Sequence, residues 1–245
     1  MPKEKNAGIF ISGDGTTMES GPLAARKVNR LGVNIPVVIS SNPDARGLGR
    51  ARAHKIQTEI VDPRDFRIDG KFSLDSQAAY EERINEISDN YELDMAILMG
   101  WKAKLSDRVI GHIPFVMGTH PGPLPETAKG FGIVPYETMR QFTQLTGRNN
   151  GTEVVVQRLY PGRGWDEGPI LGSRRVPILG NDTGLSLQAR GKLSEGPLVN
   201  EVIGDLLANR LTEQGQVFKY MQPGEEVLLA QADQNARVYA KQIGG

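Results

Sequence analysis

Three stretches of the chain carry side chains that could bind or move charge. The first is Ser12-Gly13-Asp14-Gly15-Thr16-Thr17-Met18. Glycines let a backbone turn tightly, and amides and hydroxyls at a helix start can cradle an anion, so this stretch reads as a phosphate site. Met18 stands where a dinucleotide fingerprint would place its third glycine, and no Gly-Lys-Ser/Thr ending follows, which favours a single phosphate monoester. The competing reading is a plain turn between strand and helix. The second stretch is Met117-Gly118-Thr119-His120-Pro121-Gly122-Pro123-Leu124-Pro125. It puts His120 where a strand gives way to a loop, at the sheet edge where open α/β folds bind ligands. Imidazole transfers protons near neutral pH. His54, near a helix C-terminus, and His112, ahead of an apolar strand, read as structural or solvent-facing. The third stretch, Tyr160 to Pro169 (YPGRGWDEGP), places Asp166 on a glycine-rich loop. From there it could orient His120 and stabilise its protonated form. Taken alone, Asp-Glu-Gly-Pro is a turn.

These residues need a scaffold. Gly8 to Ser12 (GIFIS), Ile35 to Ser40 (IPVVIS) and Met95 to Met99 (MAILM) are short apolar runs bounded by polar or turn residues, as in strands buried on both faces of a parallel sheet. Helical patterns lie between them, around Met18 to Leu31, at Gly47 to Lys55 and at Asp75 to Tyr91. Strand alternating with helix predicts a wound α/β sheet. Further strands are expected at Phe115 to Thr119, Glu153 to Leu159 and Gly172 to Ile178. Gly122 to Gly151 reads as an active-site loop around a helix at Pro135 to Leu145. Asp182 or Thr183 can cap a long last helix through Leu211, with Gly196-Pro197 expected to break or kink it.

Composition narrows the function. Across 245 residues, 29 basic side chains balance 29 acidic ones, which argues against bulk nucleic-acid or anionic-membrane binding. With no cysteine and three dispersed histidines, a bound structural metal is not expected. No apolar run approaches the roughly 18 residues needed to span a bilayer, and the N-terminus has no signal-peptide pattern, so the expected compartment is the cytoplasm.

The order and spacing of SGDGTT, SSNPDARGLGRARAHKIQT, LMGWKAKLS, THPGPLP, GTEVVV and WDEGPIL resemble the folate-dependent formyltransferases, and within them the branch that formylates glycinamide ribonucleotide in purine biosynthesis. The resemblance covers Gly8 to about Leu211. It implies a Rossmann-like, mostly parallel sheet with helices on both faces and residues 1–211 as the formyltransferase domain; 212–245, too short for a second domain, reads as an extension packed on the core or on a partner, a homodimer being one option. It implies 10-formyltetrahydrofolate as co-substrate and a phosphorylated ribonucleotide as acceptor. Gly15, Thr16 and Thr17 would hold the phosphate, and Glu195 in ARGKLSEG the ribose side. Lys102, Ala103, Lys104, Leu105 and Trp165 would line the folate site. His120 and Asp166 match two of three catalytic residues. The third, an Asn in the family's Asn-x-His-Pro pattern, is Gly118 here; Asn149 or Asn150 is the candidate replacement. Related readings are a sugar-amine N-formyltransferase, a formyltetrahydrofolate hydrolase, or a degenerate phosphate-ligand-binding protein.

Overall fold

The computed structural model describes residues 4–27, 31–127, 130–149, 151–216 and 218–244. Its seven strands are β1 (Asn6–Ile11), β2 (Asn34–Ser40), β3 (Gln57–Ile60), β4 (Met95–Leu98), β5 (Phe115–His120), β6 (Thr152–Arg158) and β7 (Ile170–Val176). They form one sheet of order β3-β2-β1-β4-β5-β6-β7. The pairs β1–β2, β1–β4, β2–β3 and β4–β5 are parallel, and β6–β7 is antiparallel. The expected α/β class holds, because the apolar runs are buried along nearly their whole length in β1, β4 and β6. β3 was not foreseen. It is a short, polar edge strand, Gln-Thr-Glu-Ile, with no fully buried residue, and carries no strand pattern of its own.

The chain divides into two compact units, Met1–Gly118 with Arg158–Arg163, and Thr119–Gln157 with Gly164–Gly245. In the first, the chain runs from β1 outward through β2 to β3 and then returns to β4 on the other side of β1. The order therefore reverses between β1 and β4, and the loops that leave these two strands flank the crevice that such a reversal opens. Helical turns follow β1 at Thr16–Met18 (α1), through a π turn at Glu19–Leu23, to Ala24–Lys27 (α2). Residues 28–30 of the expected helix lie outside the described residues. α3 (Arg46–Ala53), α4 (Leu74–Asn90) and α5 (Asp107–Ile110) complete this unit. Ser73 caps α4 by accepting from Ser76 N at 3.1 Å, and Tyr80, Ile84 and Ile87 form its buried face.

The second unit carries α6 (Val134–Thr146), α7 (Gly184–Leu207) and α8 (Glu226–Gln242). Thr183 is the N-cap of α7 and exchanges hydrogen bonds with Ser186, while Asp182 holds Arg190 at 2.6 and 2.7 Å. Of the break or kink expected at Gly196-Pro197, the break does not occur: α7 runs through Pro197. Proline deprives the carbonyl four residues earlier of its partner, and here that residue, Leu193, is 71 % exposed, so water can serve it. After residue 211 the chain bridges to Ile170 through Gln214 and then forms α8. The small face Ala236 and Ala240 packs on Ile133 and Val134, and Arg148 pairs with Glu225. Among the described residues no helix is long and apolar enough to cross a membrane.

Candidate active site

In the first unit, Ser12 ties three strand ends together. Its Oγ lies 2.6 Å from Ser41 Oγ after β2 and accepts from Lys102 N at 2.8 Å after β4, while its carbonyl accepts from Asn42 Nδ2 at 3.3 Å. Gly15 then turns the chain at φ 67° into α1. A β-carbon there would stand 2.8 Å from Gly47 Cα, and one on Gly47 would stand 3.2 Å from Gly15 Cα. Two glycines thus let the loop and α3 meet backbone to backbone, sealed by Gly47 N donating to Gly13 O at 3.1 Å. Arg50 Nε donates to Asp14 O at 2.9 Å, and Arg46 pairs with the Asp14 carboxylate at 2.9 Å. The loop's own negative charge is therefore balanced beside the amides of Gly15, Thr16 and Thr17, which open the helical stretch and favour an anion. Gly47 is a packing partner of this loop that sequence reasoning missed; GLG at a helix start looks like ordinary turn chemistry.

The segment after β4 alternates in exposure: Trp101 and Leu105 are buried, Lys102 and Lys104 exposed, and Ala103 half-buried. Trp101 stacks edge-on against Phe10 at 5.2 Å. Lys104 O accepts from Gln77 Nε2 at 3.3 Å, so α4 fixes this strip. The indole Nε1 of Trp101 is enclosed without a hydrogen-bond partner in this structure, and so is that of Trp165 in the second unit.

In the second unit His120 ends β5 with 3 % of its side chain exposed, and Asp166 sits on its loop in the left-handed region, φ 64°. His120 Nδ1 is 3.3 Å from Asp166 Oδ1. Nε2 is 3.1 Å from Thr127 Oγ1, whose own proton goes to Pro123 O at 2.7 Å. Thr127 can therefore only accept from Nε2–H, and Asp166 can only accept from Nδ1–H. The two contacts hold the ring from both sides, with the buried carboxylate at Nδ1, an arrangement that can stabilise developing negative charge. His54 instead pairs with Glu19 at 3.2 Å, and His112 with Asp89 at 2.8 Å.

A family model described as "Formyl transferase" matches residues 5–203. The chain belongs to the formyl transferase family. Phosphoribosylglycinamide formyltransferase of Escherichia coli (strain K12) is 28% identical over 209 residues, 84% of this chain and 89% of that one. Among solved structures, glycinamide ribonucleotide transformylase 1 from Symbiobacterium toebii superposes with a TM-score of 0.73 at 26% identity, over 88% of this chain and 93% of that one. Phosphoribosylglycinamide formyltransferase from Coxiella burnetii superposes at 0.70 with 25% identity, over 87% and 92%.

The remaining site residues of this formyl transferase fall as follows. Gly118 pairs with Leu98 in the sheet. A β-carbon on it would meet Leu159 Cδ1 at 3.4 Å and Leu98 Cβ at 3.5 Å, ordinary contact distances. Asn149 is spent on its own turn, its Nδ2 donating to Ile178 O at 2.5 Å and its Oδ1 accepting from Gly151 N; Asn150 lies outside the described residues. Glu195 is 7 % exposed in α7 and accepts from the Tyr136 hydroxyl at 2.9 Å. Burial and the Glu195 charge push the Tyr136 phenol far above its ordinary pKa, so it remains the donor. Gly191 makes room for that ring, since a β-carbon there would lie 2.2 Å from the Tyr136 hydroxyl. The ARGKLSEG motif thus has an interior packing reason beside the substrate role that the resemblance implies.

Proposed function

We propose that this formyl transferase moves a formyl group from 10-formyltetrahydrofolate to the primary amine of glycinamide ribonucleotide, as in purine biosynthesis. The observation that carries the reading is the buried His120–Asp166 pair, in a chain whose relatives bear the name of that reaction. Formyl transferases of the glycinamide ribonucleotide type use 10-formyltetrahydrofolate as donor. The exposed Lys102 and Lys104 suit the carboxylates of such a ligand.

In the proposed reaction the acceptor amine attacks the formyl carbon. A new C–N bond forms, negative charge collects on the formyl oxygen, and His120 stabilises it while Asp166 holds the ring in place. Collapse breaks the bond to the folate nitrogen, which leaves with the proton that the amine gives up. Gly15, Thr16 and Thr17 are proposed to anchor the acceptor's phosphate, with Glu195 toward its ribose. Holding both substrates in line supplies much of the rate.

Gly118 favours a second reading, a ligand-binding protein that has lost transfer, since the absent Asn amide is a donor whose removal typically costs on the order of a hundred- to a thousand-fold. One assay separates the readings. The protein is incubated with 10-formyltetrahydrofolate and, in turn, glycinamide ribonucleotide, an amino sugar nucleotide, or no acceptor. Formyl transfer to the ribonucleotide alone supports the proposal, transfer to the sugar amine or release of formate points elsewhere in the superfamily, and no reaction supports the second reading. Glu195→Gln is expected to raise the KM for the ribonucleotide while Tyr136 keeps an acceptor and the melting temperature holds. An unchanged KM would assign Glu195 to packing alone.

A further inference from the structure

Besides Thr127 on His120, one more side chain reaches the His120–Asp166 pair. Gln157, the penultimate residue of β6, donates from Nε2 to Asp166 Oδ1 at 2.8 Å, closer than the 3.3 Å that separates the same oxygen from His120 Nδ1. We propose that Gln157 is a positioning residue that fixes the Asp166 carboxylate against His120, an inference that rests on the assignment of that pair to the active site.

Three features of the chain carry this. Gln157 follows Val154, Val155 and Val156 in a buried strand and is itself 4 % exposed, a place where an apolar side chain would continue the pattern at no polar cost. Its Oε1 is enclosed without a hydrogen-bond partner in the structure, so the amide contributes one contact, the one to Asp166. The reverse orientation would set Oε1 against the carboxylate, which leaves the donor side as the only favourable one. The sheet is irregular at this same residue. The pairing passes from Val156 opposite Gly172 to Gln157 opposite Ile170, with Leu171 the extra residue. Such bulges re-aim side chains beside functional sites. Asp166 meanwhile stands on a turn in the left-handed region, away from regular structure, where a second anchor decides which way its carboxylate points.

The test reads His120 directly. The chain has three histidines, so NMR gives three sets of imidazole ring signals, and His120→Ala identifies one of them. The ring senses where the Asp166 carboxylate stands, so Gln157→Leu should move the His120 ring signals as Asp166→Asn does, with the His54 and His112 signals unmoved. Gln157→Met, flexible and of similar length, replaces the leucine variant if that one melts early. In turnover, Gln157→Leu is expected to lower kcat about tenfold to a hundredfold with KM for both substrates within twofold, as misplacement of one reacting group does. His120 ring signals that stay in both Gln157 variants overturn the proposal, as does an unchanged kcat. If Asp166→Asn leaves the His120 signals unmoved, the pair and its holder fall together. If the wild-type protein transfers no formyl group while the ring signals move as described, the functional reading fails and the positioning role stands.

Discussion

Gly118 is where residue chemistry and reaction rate meet most directly in this chain. A β-carbon at Gly118 meets Leu159 and Leu98 at ordinary contact distance, so the overpacking cost of roughly 1–3 kcal/mol that a crowded glycine would impose is not expected from that atom. Gly118→Asn is therefore predicted to fold and to transfer formyl faster in a single turnover, because it adds an amide two residues before His120 on the same strand. Thermal melting is the folding control, and a stably folded variant no faster than wild type would mean that another group already serves the oxyanion. His120 and Asp166 were legible in the sequence because a histidine at a strand end and an acid in a Gly-rich loop are conspicuous residue types. Thr127, Gln157 and Gly47 were not: a threonine in a Pro-rich loop, a glutamine in a valine strand and a glycine at a helix start owe their contacts to what folding brings near them.

At the scale of elements, the loop from Ser12 to Thr17, proposed to hold phosphate, depends on α3 as much as on its own glycines. Gly47→Ala puts a methyl group 3.1 Å from Gly13 O and 3.2 Å from Gly15 Cα, backbone atoms that cannot swing aside. It should loosen the loop, weakening ribonucleotide binding about tenfold with a stability loss of roughly 1–3 kcal/mol. Calorimetric titration and melting measure the two effects, and wild-type binding in a folded variant would take the loop out of the site. The parallel strands were readable because buried apolar runs leave a pattern. β3, built of polar residues at an edge, leaves none, and Pro197 misled because a sequence does not reveal which carbonyl can turn to water.

Across the whole molecule, stability and pH are linked through Glu153, fully buried in β6. Burial pushes its carboxyl from 4.5 up to about 7, with Glu126 adding to the shift while Ser173, Arg175 and Tyr220 offset part of it. A folded-state pKa above the unfolded one means that stability is fullest below the unfolded value and is lost as pH rises through the folded value, here from about 4.5 to about 7. Glu153→Gln, which cannot ionise, should match wild type in acid and exceed it above neutrality by on the order of 2–3 kcal/mol. Melting curves across that range decide it, and a pH-independent difference would contradict the assignment. The central claim is that the fold brings His120 and Asp166 together to work as one device for formyl transfer to glycinamide ribonucleotide, and a double-mutant cycle on kcat measures this most directly. The account predicts turnover by wild type, losses of similar size for His120→Ala and Asp166→Ala, and a double variant little worse than either. Additive losses, or single variants as active as wild type, would contradict it.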